Sequence, residues 1–153
     1  MNKENTSGSI ANFILDDPRL TVELIVDGHH QSFEKVRELF KAIGPRIIMV
    51  SDAMAAAGNG DGSYTIGALP VEVKDGVARL TSNQKLAGST LTISQAFTNL
   101  INKCGLSVEQ AVHATSTQPA HALGLKDRGS IAVGMRADLL SYNSSTGSIS
   151  VVS

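Results

Sequence analysis

A strand–helix–strand pattern near the start of the chain limits the possible fold more than any other feature of the sequence. Apolar runs at 21–28 and 46–53 flank a segment, 31–44, whose apolar residues recur at helical spacing. Ser32 can cap this helix, and Gly44 can end it. A strand, a helix and a strand within about 30 residues form a βαβ unit, so we expect parallel strands. Their nearly continuous apolar character predicts burial on both faces.

The rest of the chain follows a different pattern. Residues 68–80 contain two short β runs joined by Asp75-Gly76, which is a strong hairpin signal. Two parallel strands with few helices cannot cover all their apolar faces, and a barrel needs more strands to close. The chain is therefore predicted to be an α/β portion of a larger architecture. After the hairpin, the sequence predicts a loop around Gly88 and then a helix whose apolar face runs from Ile93 to Cys104. A second helix is predicted within 107–125, interrupted at Pro119, followed by short β runs with a turn at 143–147.

Composition excludes several classes of function. The net charge is −1 and aromatic residues make up 4% of the 153 residues, so we expect no nucleic-acid partner. Cys104 is the only cysteine, which excludes an internal disulfide and a cysteine-based zinc site and favours a cytoplasmic location. The polar N-terminus has no signal-peptide core, and no apolar stretch is long enough for a membrane span.

Polar residues that could carry chemistry follow both predicted strands. The carboxyl ends of parallel strands are where ligands bind, so a histidine and an aspartate there could transfer protons or lie beside a metal. The alternatives are a solvated turn for the histidine pair and a turn or cap for the aspartate. Their spacing does not define a metal site. The first turn contains Asp27, Gly28, His29 and His30, and the second contains Ser51 and Asp52.

A stretch of small residues, KLAGST at 85–90, precedes the first helix of the second half. Backbone N–H groups at the start of a helix can bind an anion or polar sugar groups. The alternative is that a serine or threonine here is an ordinary helix cap. The stretch does not have the spacing of a phosphate-binding P-loop. Substrate binding and simple capping both remain open from these residues alone.

Taken together, the motifs resemble the N-acetylglucosamine-6-phosphate deacetylases of the amidohydrolase superfamily. DGHH, SDAM, LAGST and GSIAVGMRADLL occur in that family's order along nearly the whole chain. The resemblance implies a partial TIM-like (β/α) barrel plus part of a small β-sandwich domain. Residues 1–125 would supply the last two strands and helices of the barrel, and 126–153 a segment of the β domain. The implied reaction is metal-dependent hydrolysis of N-acetylglucosamine 6-phosphate to glucosamine 6-phosphate and acetate.

The resemblance also implies roles for individual residues. Asp52 matches the catalytic aspartate, which takes a proton from a metal-bound water and delivers it to the leaving amine. His30 matches a histidine that contacts the substrate, and Asp27 and Gly28 match the turn that holds it in place. The loop that contacts the substrate through its backbone is matched by Ala87, Gly88 and Ser89.

Other parts of the family's site are not matched. The family's divalent metal, of zinc or iron type, is held by a glutamate and two histidines on strands that would precede residue 1, so its ligands are expected to be missing here. The arginine that meets the substrate phosphate would align near Thr6, where there is no arginine. We therefore expect the isolated chain to be incomplete and to need a complementing N-terminal chain.

The predicted partners follow from this incompleteness. They are an amino-sugar phosphate substrate, a complementing chain, and further copies of the same chain, because open strand edges and uncovered apolar faces promote self-association. One alternative is a non-catalytic remnant or subunit that binds an amino-sugar phosphate or a complementing protein. Another is an amidohydrolase that acts on a cyclic amide, although LAGST and DGHH argue against it.

Overall fold

One parallel strand pair and two antiparallel sheets make up the β structure of residues 10–152, which are the residues that the computed structural model describes. The antiparallel sheets have three strands and two strands. The elements in chain order are α1 (Ile10–Asp16), β1 (Val22–Leu24), α2 (Phe33–Ile43), a 3₁₀ turn (Gly44–Arg46), β2 (Ile47–Met49), β3 (Gly62–Ile66), β4 (Leu69–Lys74), β5 (Val77–Leu80), α3 (Ile93–Asn102), α4 (Val108–Val112), a π turn (His113–Thr117), α5 (Gln118–Ala122), β6 (Leu139–Tyr142) and β7 (Ile149–Val152).

The predicted parallel strands are present. β1 and β2 pair in parallel, with Val22 opposite Ile47 and Leu24 opposite Met49. The predicted burial on both faces is confirmed for β2, whose three residues are all buried. It is wrong for β1, which is only half-buried. Among the described residues β1 has a single neighbouring strand, so its other side is left without a partner.

The helix between these strands forms as the sequence predicts. The Ser32 side chain accepts a hydrogen bond from the Lys35 N–H at 3.2 Å and caps the start of α2. Gly44 is the C-terminal cap. The apolar face of α2 contributes to the main core, together with residues of β2 and α3. This core comprises Val26, Val36, Phe40, Ile43, Ile47, Met49, Leu91, Ala96, Phe97, Leu100, Cys104, Ala111 and Ala114.

The hairpin at residues 68–80 is part of a larger sheet than the sequence suggests. β4 and β5 pair around Asp75 and Gly76, which both adopt positive φ, as a two-residue hairpin turn requires. A third strand, β3, pairs antiparallel with β4 and was not predicted. Its sequence GSYTI is short, and neighbouring glycines obscure the strand pattern. This three-stranded sheet encloses a second, smaller core of Ala56, Val71, Val73, Ala78 and Ala87.

The first helix of the second half begins where the sequence predicts. Residues 83–92 form turns and an extended stretch around Gly88, and α3 follows from Ile93 to Asn102. The predicted interruption near Pro119 takes the form of a π turn between α4 and α5, so the chain remains helical. Proline cannot donate a backbone hydrogen bond, and the π turn ends at Thr117, two residues before Pro119.

The tail forms a single hairpin. β6 and β7 are antiparallel and are joined by the predicted turn, in which the Asn143 side chain accepts from the Ser145 N–H at 2.9 Å. The β runs expected before residue 139 do not form strands, and α1 was not predicted. Tyr142 contacts Phe97 of α3 edge-to-face, with ring centroids 5.0 Å apart. Within residues 10–152 no helix has the length and apolar character needed to cross a membrane.

Candidate active site

The two candidate polar turns lie at the same edge of the parallel sheet. Residues 27–30 follow β1, and residues 51–54 follow β2. The Val50 N–H donates to the Leu24 carbonyl oxygen at 3.0 Å, which extends the strand pairing up to the second turn. Since the two strands are parallel neighbours, the prediction that these turns lie at adjacent strand ends is confirmed.

In the first turn, Asp27 makes three hydrogen bonds, two with His30 and one with His29. Its Oδ1 accepts from the backbone N–H groups of His29 and His30, both at 2.9 Å. Its Oδ2 lies 2.8 Å from His30 Nδ1. Gly28 between them has φ +82°, and a Cβ at this position would lie 2.9 Å from the ring of Phe33. The positive φ therefore favours glycine here, and a side chain at this position would also displace the Phe33 ring.

These contacts determine how His30 presents its ring. An ionised carboxylate only accepts hydrogen bonds, so Nδ1 carries the proton and Nε2 is the nitrogen left for a ligand. Partial burial acts to raise the pKa of Asp27, but hydrogen bonds from His30 and His29 outweigh it and hold the pKa below its ordinary value. The side chains of Asp27 and His30 are 12% and 24% exposed, so His30 is fixed yet accessible.

The second turn is bound to the LAGST segment. The Ser89 N–H donates to the Asp52 carbonyl oxygen at 2.7 Å, and the Met54 N–H donates to the Ser89 carbonyl oxygen at 2.9 Å. The Ser89 hydroxyl also donates to the Ser51 carbonyl oxygen. Ser89 is 3% exposed and is the buried polar residue here. Asp52 itself is exposed and has φ 47°, so its backbone is held while its side chain remains open to solvent.

Gly88 allows this close docking. A Cβ at residue 88 would lie 3.1 Å from the Asp52 carbonyl oxygen and 3.3 Å from the Cβ of Met54, and φ is +64°. Ala87 next to it is buried, and its N–H donates to the Ala78 carbonyl oxygen of β5 at 3.1 Å. The structure therefore brings three sequence-predicted site residues, Ala87, Gly88 and Ser89, together with the backbone of the fourth, Asp52.

Helix α3 connects the two turns, through a residue that the sequence analysis missed. The Asn99 side chain donates from Nδ2 to the Val26 carbonyl oxygen at 2.9 Å, directly before the Asp27 turn. At its start, α3 carries a capping box between Thr92 and Gln95, just after the LAGST segment. The available signal for Asn99 was its place beside the apolar face of a predicted helix, where a polar side chain needs a partner.

The donor set in the described residues does not fit a complete metal centre. Within residues 10–152, no three side chains of His, Cys, Asp or Glu are grouped so that they could hold a metal ion. Asp27 and His30 bind each other, and Asp52 follows a different strand. We therefore derive no catalytic step through a metal from this chain. Thr6, aligned with the family's phosphate-binding arginine, lies outside the described residues.

Comparison with known proteins identifies the family. The sequence profile of the amidohydrolase family matches residues 18–150, which is most of the chain. The chain belongs to the amidohydrolase family. Amidohydrolases are generally metal-dependent enzymes.

Among these amidohydrolases, the chain is similar to amino-sugar phosphate deacetylases. It is 38% identical over 128 residues to an N-acetylglucosamine-6-phosphate deacetylase from Vibrio furnissii, covering 83% of this chain and 32% of the relative. It is 37% identical over 131 residues to a putative N-acetylgalactosamine-6-phosphate deacetylase from Escherichia coli K12, covering 85% and 78%. The resemblance deduced from the motifs is confirmed.

A solved structure shows the same similarity in three dimensions. The crystal structure of an N-acetylglucosamine-6-phosphate deacetylase from Thermotoga maritima superposes with a TM-score of 0.84 at 41% identity, covering 94% of this chain and 39% of that one. This amidohydrolase chain thus spans about a third of the Vibrio relative and most of the Escherichia coli relative. The similarity extends over nearly all of the present chain but only part of the longer deacetylases.

Proposed function

We propose that this amidohydrolase chain contributes to the hydrolysis of N-acetylglucosamine 6-phosphate to glucosamine 6-phosphate and acetate. The observation that supports this most strongly is that the LAGST segment docks onto the backbone around Asp52. The Ser89 N–H donates a hydrogen bond of 2.7 Å to the Asp52 carbonyl oxygen. The similarity to the Vibrio deacetylase, at 38% identity, agrees with this substrate class.

In this proposal the site residues keep the roles that the motifs suggested. The carboxylate of Asp52 removes a proton from the attacking water, whose oxygen bonds to the acetamide carbon. It then returns the proton to the nitrogen as the carbon–nitrogen bond breaks. His30 directs Nε2 toward the sugar or the acetamide carbonyl oxygen. The backbone of the LAGST segment contacts the substrate at Ala87, Gly88 and Ser89.

In this proposal, the rest of the active site and of the barrel is formed by polypeptide outside the described residues. β1 and β2 would be the last two strands of a TIM-like (β/α) barrel, and the β6–β7 hairpin would belong to a small β-sandwich domain. A divalent ion of zinc or iron type would be held by residues corresponding to the unmatched length of the longer deacetylases, supplied by a complementing chain. A cytoplasmic location fits a chain with a single cysteine.

The test is acetate release by the full chain mixed with the unmatched segment of the Vibrio deacetylase and zinc or ferrous ions. We expect turnover by the mixture and none by either part alone. Asp52→Asn should reduce the rate more than about a hundredfold, which is typical for loss of a general base. The control Glu34→Gln changes an exposed carboxylate at the start of α2 and should leave the rate unchanged.

Two results would contradict the proposal. A rate unaffected by Asp52→Asn would remove Asp52 from the reaction. Robust turnover by the isolated chain would show that no complementing segment is needed. If the mixture is inactive but calorimetry detects binding of glucosamine 6-phosphate, the non-catalytic alternative is favoured instead.

A second candidate substrate is N-acetylgalactosamine 6-phosphate. The Escherichia coli relative, of which the chain covers 78%, carries that name. The two substrates differ only in the configuration at C4 of the sugar. Measuring kcat/KM for both in the same mixture distinguishes them, and a higher value for the galactosamine form would reverse the assignment.

A further inference from the structure

Residues 85–90 act as an additional strand between the three-stranded sheet and the Asp52 turn. On one side, the Leu80 N–H donates to the Lys85 carbonyl oxygen at 2.9 Å, and Ala87 pairs with Ala78 of β5. On the other side, Ser89 pairs in parallel with Ala53. The segment that docks on Asp52 is therefore also hydrogen-bonded to the β4–β5 hairpin. A shift of that hairpin would move Ser89 relative to Asp52.

The tip of the hairpin is held by Asp61. Its Oδ2 accepts from the Asp75 N–H at 2.6 Å, and its Oδ1 accepts from the Gly76 N–H at 2.9 Å. Both residues have positive φ, so their successive N–H groups form a concave donor pair that suits a carboxylate. Asp61 immediately precedes β3, so it binds the tip to the chain segment that comes from the Asp52 turn.

The same tip is bound from the LAGST side by Thr90. The Thr90 hydroxyl donates to the Gly76 carbonyl oxygen at 2.6 Å. The residue before Thr90 is Ser89, whose N–H donates to the Asp52 carbonyl oxygen. The contacts thus form a closed ring that runs from the Asp52 turn through Asp61, the hairpin tip and Thr90 back to the Asp52 turn.

We propose that Asp61 is a positioning residue for the candidate active site, acting through the hairpin tip and Thr90 to fix Ser89 against Asp52. No hydrogen bond joins Asp61 to Asp52 or to the LAGST segment directly among the described residues. Its effect passes through the backbone of Gly76, whose N–H donates to Asp61 and whose carbonyl oxygen accepts from Thr90. The proposal rests on the proposed function insofar as Asp52 and Ser89 belong to the catalytic site. Its geometric part can be tested without any activity.

The first experiment is amide hydrogen exchange by NMR on the full chain. Asp61→Asn keeps the size of the side chain but removes its charge and one acceptor oxygen. We expect the Ser89 and Met54 amides to exchange about fivefold faster, as for loss of one hydrogen bond. The Val50 amide, bonded to Leu24 in the parallel sheet, should keep its rate.

Matched variants separate positioning from general stability. Thr90→Val removes the hydroxyl at nearly constant shape and should accelerate the same two amides, whereas Thr90→Ser keeps the hydroxyl and should restore their protection. Glu72→Gln neutralises another carboxylate of the same sheet, bonded to Ser63, and should change neither amide. Unchanged exchange in Asp61→Asn, or equal acceleration at Val50, would overturn the proposal.

The second readout is the complemented acetate assay. Asp61→Asn and Thr90→Val should lower kcat severalfold, with Thr90→Ser and Glu72→Gln near the unmodified rate. If kcat is unchanged although exchange at Ser89 is accelerated, Asp61 orders the segment without affecting the reaction, and the positioning role is wrong. If the unmodified mixture releases no acetate, the proposed function fails, while the exchange result still decides the geometric claim.

Discussion

At the scale of single residues, Gly88 is required for two reasons, its backbone conformation and the lack of space around its Cβ position. Its φ of +64° disfavours any side chain, and its Cβ position is crowded by the Asp52 carbonyl oxygen and by Met54. A backbone carbonyl cannot rotate away as a flexible side chain can. A side chain at this position would therefore force the LAGST segment and the Asp52 turn apart.

We predict that Gly88→Ala destabilises the chain more than Gly105→Ala. Gly105 has a similar φ of +69° but open space around its Cβ position. The left-handed conformation alone costs an alanine about 1–2 kcal/mol, and crowding at residue 88 should add about 1 kcal/mol or more. Urea unfolding measures both variants. Equal losses would show that the contact with Asp52 is unimportant.

The Asp27–His30 pair predicts a dependence of stability on pH. The pKa of Asp27 is lower in the folded chain than its ordinary value, so its ionised form favours folding. This contribution is complete above the unfolded pKa of about 3.9 and is lost as the pH falls through the folded pKa. The difference in unfolding free energy between the unmodified chain and Asp27→Asn should therefore be larger at about pH 5 than at about pH 3. It should shrink below about pH 4; a difference that grows there would contradict the pKa shift.

The candidate site shows which residues a sequence can reveal. His30 and Asp52 were placed at adjacent strand ends because polar residues directly follow apolar strand patterns. Asn99 and Asp61 were not identified from the sequence, because each hydrogen-bonds a backbone group far away along the chain. Asn99 bonds Val26, and Asp61 bonds the hairpin tip. Neither contact leaves a local spacing signal, since the pairing depends on how the elements pack.

At the scale of elements, α3 is the part whose position matters for both turns. Its start follows the LAGST segment, and its middle holds the strand end before Asp27 through Asn99. The sequence predicted a loop around Gly88 and then a helix whose apolar face begins at Ile93, and α3 begins at that residue. The Thr92–Gln95 capping box was the local signal for that start.

Thr92→Ala should destabilise the chain by about 1 kcal/mol, the usual effect of losing a threonine cap. The control is Thr98→Ala within the same helix, whose hydroxyl bonds carbonyl oxygens of the preceding turn. Because alanine has the higher helix propensity, that change should cost less than about 0.5 kcal/mol. Thermal unfolding of the two variants checks the prediction, which fails if both lose the same stability.

At the scale of the whole molecule, the β6–β7 hairpin is covered along only part of one face. Tyr142 and Ile149 pack against the main core. Leu140 and Val151 are direct cross-strand partners on the same face by strand alternation, yet they are 67% and 76% exposed. The face is apolar at both ends but packed at only one, so its exposed end is an apolar patch that another protein surface could cover.

We predict that the full chain self-associates through this surface at micromolar concentration, whereas the sequence led us to expect self-association through open strand edges and apolar faces of the partial barrel. The double variant Leu140→Lys, Val151→Glu should shift sedimentation toward the monomer, because it places opposite charges on the exposed end. The same charges at Ser141 and Ser150, a cross-strand pair on the other face, should leave association unchanged. A monomeric unmodified chain would show that the exposed face does not drive association.

The hydrogen bonds on both sides of residues 85–90 also impose a rule on chain length. Lys85 is in register with β5 and Ser89 with the Asp52 turn. One inserted or deleted residue between them would shift one set of pairs by a residue and turn its side chains to the opposite face. Related amidohydrolases should therefore vary in side chains here while keeping this spacing free of gaps, and frequent length differences at this point would mean that the two registers are independent.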